Sequence, residues 1–146
     1  MEIIEQPDRQ DHFIWELVVL WEQSVRTTHH FLSGEDIEQL RPFVVEAIQQ
    51  IETLCYIPDE NGHAIAFMGI QGDKLEMLFV HPLSQAQRIG KKLVEYAKRQ
   101  LGIGYVDVNE QNFKAQGFYE HLGFHVFARS EQDGQGNLFP ILHMKC

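Results

Sequence analysis

The stretch Leu78-Phe-Val-His-Pro-Leu-Ser-Gln-Ala-Gln-Arg-Ile-Gly-Lys-Lys-Leu93 decides how this chain reads. An apolar run ends at Pro82, which has no N–H to give a sheet and biases His81 toward an extended backbone. A short polar loop follows. From about Gln85 to Leu101 the residues Ile89, Leu93, Tyr96, Ala97 and Leu101 recur at the spacing of one helix face, and the helix proper opens near Ile89. The first N–H groups of such a helix lack intrahelical acceptors and stand at the positive end of its dipole, so phosphate oxygens are natural partners for them. Between Gln85 and Gln100 lie Arg88, Lys91, Lys92, Lys98 and Arg99 against Glu95 alone, a local charge of +4 that leaves −13 on the rest of the chain. A basic island at a helix start in an acidic chain suggests a small polyphosphate ligand; a solvated helix face is the plainer alternative.

Upstream of this unit, Met1 to Gln6 reads as a short strand closed by Pro7-Asp8. From Asp11 to about Thr27, Ile14, Leu17, Val18, Trp21 and Val25 mark a helix, with Trp21 in the apolar stripe and Trp15 off it. A second helix opens at Ser33, with Asp36 in a variant capping-box position, and carries Ile37, Leu40, Val44, Ala47, Ile48 and Ile51. Pro42 predicts a break or kink near Arg41. Strands are expected at Thr53 to Ile57, His63 to Ile70 and Lys74 to His81, the first pair joined through Glu60-Asn61-Gly62.

Downstream, Tyr105 to Val108 is a short strand and Asn112 to Leu122 a short helix stopped at Gly123, where a left-handed cap favours glycine. His125 to Ser130 and Phe139 to Met144 form a closing hairpin. This mixed order implies an α/β sheet with helices on both faces. The segment Asn109-Glu-Gln-Asn-Phe-Lys-Ala-Gln-Gly-Phe-Tyr-Glu-His-Leu-Gly-Phe124 brings a strand end, Asn112 and Tyr119 together. A tyrosine there can donate its phenolic proton to a leaving group, or it is an ordinary core or rim tyrosine.

Composition bounds the rest. The 146 residues suit one domain spanning 1–146, 44% of them are hydrophobic, and the net charge is −9. That charge argues against general nucleic-acid binding. The longest apolar run, Ala64 to Ile70, is too short for a membrane span, and Met1-Glu-Ile-Ile-Glu is no secretory signal. Cys55 and Cys146 make no disulfide framework or zinc site, so a cytoplasmic setting is expected. His121 and His125 share i,i+4 spacing, but Gly123 between them separates their directions, and no metal is expected.

The two central segments together resemble the GNAT acetyltransferase superfamily. The strand Leu75 to Val80 with His81-Pro82, the loop and the helix look like that family's acetyl-CoA motif. Asn112, Ala115 and Phe118-Tyr119-Glu-His-Leu-Gly-Phe124 look like its second motif. Val25-Arg-Thr-Thr-His29-His-Phe31-Leu32 and Asn109-Glu-Gln-Asn112 bring the chain closer to a small bacterial branch of acetyltransferases. The resemblance implies a mixed, mostly antiparallel sheet of about seven strands, split in a V between the fourth and fifth.

It also implies direct transfer of an acetyl group from acetyl-CoA to a primary amine of a small-molecule or peptidyl acceptor. Leu78, Phe79, Val80, Gln85, Ala86, Gln87, Arg88, Ile89, Gly90, Lys91, Asn112, Ala115 and Phe118 would then contact the cofactor. Backbone N–H groups near Leu78 and Val80 would hold the thioester carbonyl. Tyr119 would protonate the departing thiolate. Glu76 is either a base acting through a water or an ordinary strand carboxylate, and His29, His30 and Phe31 would line the acceptor pocket. No metal, nucleic acid or membrane partner is implied, and the chain would act as a monomer or homodimer.

One departure stands out. The family pattern Gln/Arg-x-x-Gly-x-Gly/Ala here reads Gln85-Ala-Gln-Arg88-Ile-Gly90, with Arg88 in place of the first glycine and Ala86 where a glycine is common. Arg88 can still serve if its backbone is helical and its side chain points outward, where a charge-assisted bond to phosphate is open to it. A non-catalytic acyl-CoA-binding or interaction module on the same fold is therefore the alternative function.

Overall fold

The architecture follows from where the two apolar periodicities fall. A computed structural model of the chain describes every residue except Met1, His29, His30 and Gln135, and every side chain among the rest except those of Ala86 and Gln87. The chain order is β1 (Ile4–Glu5), α1 (Asp11–Thr28), α2 (Gly34–Gln50), β2 (Thr53–Pro58), β3 (Ala64–Gln71), β4 (Lys74–Val80), a 3₁₀ segment (Pro82–Gln87), α3 (Ile89–Gln100), β5 (Tyr105–Asn109), α4 (Phe113–His121), β6 (His125–Ser130) and β7 (Ile141–Lys145). The sheet has seven strands in the order β1-β2-β3-β4-β5-β7-β6. Every neighbouring pair is antiparallel except β4 and β5.

Both faces of the sheet are covered, which is why β3 reads as the unbroken apolar run Ala-Ile-Ala-Phe-Met-Gly-Ile rather than as an alternation. Its residues part by face. Ala66, Met68 and Ile70 join Leu93, Val94 and Ala97 of α3 and Tyr119 of α4 in one core. Phe67 joins Leu17, Trp21 and Val25 of α1 with Ile37 and Ile48 of α2 in the other. The α1 stripe is buried throughout, whereas Trp15, off that stripe, is 57% exposed.

Two expectations need correction. The helix does not break at Pro42: α2 runs unbroken from Gly34 to Gln50 with the proline inside it. The missing N–H removes one bond of the ladder. Ser33 and Asp36 close a reciprocal capping box at the start, and Ile37 and Ile48 are buried on either side of the proline. A cap of this kind contributes about 1 kcal/mol, and the anchored ends carry the helix through. The stretch after Pro82 is not loop either. It winds as 3₁₀ to Gln87, with His81 Nδ1 accepting from Leu83 N–H at 3.1 Å and Gln85 Nε2 donating to the Val80 carbonyl at 3.4 Å.

Candidate active site

The site originates in a flaw in strand pairing. β4 and β5 register at only two positions, Lys74 with Tyr105 and Leu75 with Val106. The β3–β4 ladder then skips a residue: Ile70 faces Leu75 and Gly69 faces Met77, which leaves Glu76 as the extra residue of a bulge. A bulge bends its strand and sharpens the local twist, and beyond it β4 leaves β5. Gly69 stands opposite, where a Cβ would lie 2.5 Å from the Met77 methyl and 3.1 Å from Ile51 Cγ1, so Met77 can lie across it.

The open half of β4 faces the gap with unpaired backbone. His81 N–H bonds the Ile65 carbonyl on β3 at 2.8 Å. Along an extended strand successive N–H groups alternate sides, so Phe79 also points its N–H toward β3, and Leu78 and Val80 point theirs into the split. Both donors open onto a space where no strand accepts from them. Unpaired backbone N–H groups of this kind can donate to a developing oxyanion.

A cleft of about 920 Å³ runs from the split to the start of α3. Leu78, Phe79 and Val80 supply one wall, Asn112, Ala115, Phe118 and Tyr119 of the α4 segment the other, and Gln85, Arg88, Gly90 and Lys91 the end. The sequence-derived cofactor set is thus brought together with one correction. The Ile89 side chain is only 1% exposed and packs in the core, because it begins the buried stripe of α3; only its main chain can face a ligand. The side chains of Ala86 and Gln87 lie outside those described.

The helix start suits an anion for two reasons. Among the described residues no side chain caps α3, and its first turn has no acid, so the leading N–H groups meet no side-chain acceptor at the cleft end. Gly90 also lets the Phe118 ring approach: a Cβ would lie 3.3 Å from Cζ of that ring. Arg88 corrects a second expectation. It is not helical but left-handed, at φ 59° and ψ 26°. That conformation is why glycine suits the position. An L-residue there is held at a cost of about 1–2 kcal/mol. The Arg88 side chain lines both the main cleft and an adjoining groove of about 510 Å³ with Lys91, Lys92 and Arg99.

Tyr119 sits on the last turns of α4, its ring edge-on to Phe118 at 5.0 Å and to Phe124 at 5.7 Å. It is 7% exposed, and burial pushes its phenol above the ordinary value of 10. No described residue hydrogen-bonds its hydroxyl, although the residue lines both the cleft and the narrow cavity between β4 and β5. Asn112 is first of all the N-cap of α4, its Oδ1 accepting from Ala115 N–H at 3.1 Å. Lys98 closes the other end of α4, donating to the Leu122 carbonyl at 2.8 Å.

Glu76, on the bulge, lines the cavity between the strands and lies 3.6 Å from Lys74 Nζ. Asp107 of β5 faces it across the same cavity and also pairs with Lys74. Asp107 carried no motif in the sequence; only the strand alternation of Tyr105, Asp107 and Asn109 against buried Val106 and Val108 could have set it apart. His29 and His30 lie outside the described residues. Phe31 does not line the cleft: its ring packs 6.0 Å from Phe139, tying the α1–α2 connection to the β6–β7 connection. α1 lines the cleft instead through Ser24 and Thr28, one turn apart, and Ser24 is the polar break in an otherwise apolar buried stripe. Among the described residues no three His, Cys, Asp or Glu side chains gather as metal ligands.

This geometry has relatives. The peptidyl-lysine N-acetyltransferase YjaB of Escherichia coli is 38% identical over 133 residues, covering 88% of this chain and 87% of that protein. Its counterpart in Salmonella typhimurium is 35% identical over 128 residues, 88% of each chain. The solution structure of apo-form YjaB from E. coli superposes with a TM-score of 0.86 at 34% identity, over 99% of this chain and 97% of that one. The PaiA N-acetyltransferase of Thermoplasma acidophilum in complex with coenzyme A shares the fold, with a TM-score of 0.67 at 22% identity over the whole of both chains. Residues 22–146 match the family model for the acetyltransferase (GNAT) domain, and the chain belongs to the GNAT acetyltransferase family.

Proposed function

We propose that this N-acetyltransferase, read as a single domain over residues 1–146, uses acetyl-CoA to acetylate the ε-amine of a lysine side chain in a peptide or protein. The observation that carries the acceptor class is the 38% identity to a peptidyl-lysine N-acetyltransferase across 88% of the chain. Two carboxylates at the gap, Glu76 and Asp107, offer a cationic side chain its counter-charges. The low cysteine count and bacterial relatives support a bacterial cytoplasm as the setting.

Acetyl-CoA supplies a thioester whose carbonyl carbon the amine attacks and whose thiolate departs. The protein's part is to hold and polarise. The Leu78 and Val80 N–H groups donate to the carbonyl oxygen as charge grows on it, an effect worth about 3–4 kcal/mol per donor in comparable sites. The leading N–H groups of α3, with Lys91 and Arg88, hold the pyrophosphate. Tyr119 keeps its proton at every physiological pH because burial raises its ionisation. A free thiol ionises near about 8.5 and a phenol near about 10, so Tyr119 steadies the leaving sulfur chiefly by donating a hydrogen bond. Glu76 accepts the amine's proton through a water.

The non-catalytic alternative rested on Arg88. It weakens here because the backbone at that position takes the left-handed form a glycine would take, and the helix start stays uncapped. The test is calorimetry with acetyl-CoA and with desulfo-CoA, followed by mass spectrometry of lysine peptides incubated with the protein and acetyl-CoA. Binding of both ligands with acetylated lysine supports the reading. Binding without acetylation of any peptide rejects the lysine acceptor, and no binding at millimolar ligand rejects the cofactor site.

A further inference from the structure

Three strands carry a chain of polar side chains of which the reaction as described uses only the Asp107 end. Ser130 Oγ of β6 lies 2.6 Å from His143 Nε2 of β7, and His143 Nδ1 lies 2.6 Å from Asp107 Oδ1 of β5. The other oxygen of Asp107 pairs with Lys74 of β4, which also reaches Glu76. The register explains the alignment: β7 pairs with β5 at Asp107–His143 and with β6 at Ala128–His143 and Ser130–Ile141, so all three side chains share one sheet face. That face lies opposite the one packed on α3 and α4, since Val106, Val108 and Met144, the alternating neighbours, are buried in that core.

A carboxylate only accepts, so His143 Nδ1 donates to Asp107 and Nε2 accepts the Ser130 hydroxyl proton. The hydroxyl can turn. If Nε2 gains a proton, Ser130 Oγ accepts instead of donating, so the ring keeps both partners in either state. The charge then falls on Asp107, already held by the Lys74 ammonium. The groups facing His143 are Asp107 from β5, Ser130 and the Phe127 ring from β6, and Lys74 beyond the carboxylate, with Lys145 of its own strand over Phe127.

We propose that His143 is a positioning residue of the acetyltransferase, which holds the Asp107 carboxylate at the gap between β4 and β5 for the acceptor amine and makes that carboxylate's availability depend on pH. With the ring neutral, Asp107 carries one full positive neighbour and one hydrogen bond, and the residue lines the gap between β4 and β5. With the ring protonated, Asp107 sits between two cations and attracts an acceptor ammonium more weakly. Acid therefore lowers acceptor engagement and leaves the acetyl-CoA end of the cleft as it was. The inference rests on the lysine-acetylation reading for its kinetic readout only.

The experiment compares His143→Asn and His143→Ala with the unchanged protein. Asn places an amide N–H where Nδ1 stood but does not titrate. With a lysine peptide and saturating acetyl-CoA, His143→Asn should keep kcat/KM for the peptide within about threefold at pH 8 and flatten its fall as the solution is acidified. His143→Ala should lose roughly tenfold at pH 8, with acetyl-CoA affinity by calorimetry unchanged. A His143→Asn profile that superimposes on the parent's, or a His143→Ala variant with the parent's kcat/KM, overturns the proposal.

A second measurement is independent of turnover. Nitrogen NMR of the His143 ring in the neutral state should show Nδ1 protonated and Nε2 bare. The opposite tautomer overturns the proposal. Failure of every lysine peptide with the expected NMR result would instead reject the acceptor reading alone.

Discussion

The two ends of β4 share a strand and behave as different materials. At Lys74 and Leu75 the strand is paired on both sides, its N–H and C=O groups spent on β3 and β5. From Leu78 to Val80 it is paired on one side only, and the other row of backbone groups faces a cavity. Leu75 and Val106 at the closed end are each 2% exposed and belong to the core, whereas Leu78, Phe79 and Val80 are half-buried at the cleft wall. One extra residue, Glu76, separates the regimes. A binding site can thus arise without any special side chain, from backbone donors that a sheet has been prevented from using.

The comparison can be broken first where side-chain chemistry meets the open end. Tyr119→Phe should lower kcat by about a hundredfold, the lower range for loss of a proton-donating group, with acetyl-CoA affinity nearly unchanged. Steady-state rates with a lysine peptide and calorimetry on the same variant check both halves. Equal kcat in the variant would remove Tyr119 as the donor. An ultraviolet titration of the parent should also find two tyrosines that ionise above the ordinary value near 10: Tyr119, because burial opposes its charged form, and Tyr96, because its hydroxyl donates to Glu5.

A smaller effect is expected where the helix start meets the phosphates. Arg88→Gly relieves the left-handed backbone, so stability should rise by about 1 kcal/mol, while acetyl-CoA affinity changes through the lost guanidinium. Denaturant melts and calorimetry separate the two. Unchanged affinity would mean that the turn does not meet the pyrophosphate.

The smallest effect lies far from β4. Glu22 of α1 accepts from Arg41 of α2 and from Arg26, and Arg41 most of all holds its carboxyl below the usual carboxylate range. A depressed folded-state value contributes stability above the unfolded one and loses it as pH falls through the folded one. Arg41→Ala should therefore cost under about 1 kcal/mol at neutral pH, as partly exposed pairs do, and less still near pH 3. Thermal melts at both values check the sign. A cost that grows with acid would contradict it.

Local signals account for the parts that were legible. Pro82 ended β4, Asn112 and Ser33 announced helix starts, and the apolar stripes of α1 and α3 named their buried faces. These rest on interactions within a few residues, and the phosphate-binding half of the cleft is made the same way. What misled was local too. Pro42 carries a real local penalty, but burial of Ile37 and Ile48 on its two sides outweighs it. Arg88 offered no local reason to be left-handed; the chain must turn from the 3₁₀ segment into α3 there, and the tertiary path imposes the angle.

From the sequence alone came the strand–turn–helix that can grip a phosphate, the Tyr119 segment, the acidic balance of the whole and the family these resemble. Those are properties of short stretches, where three or four neighbouring residues carry the physics. The bulge at Glu76, the outward aim of the Leu78 and Val80 N–H groups and the Asp107–His143–Ser130 line belong to the tertiary structure. Each depends on register between strands distant in the chain, and a shift of one residue would turn every one of those groups to the opposite side.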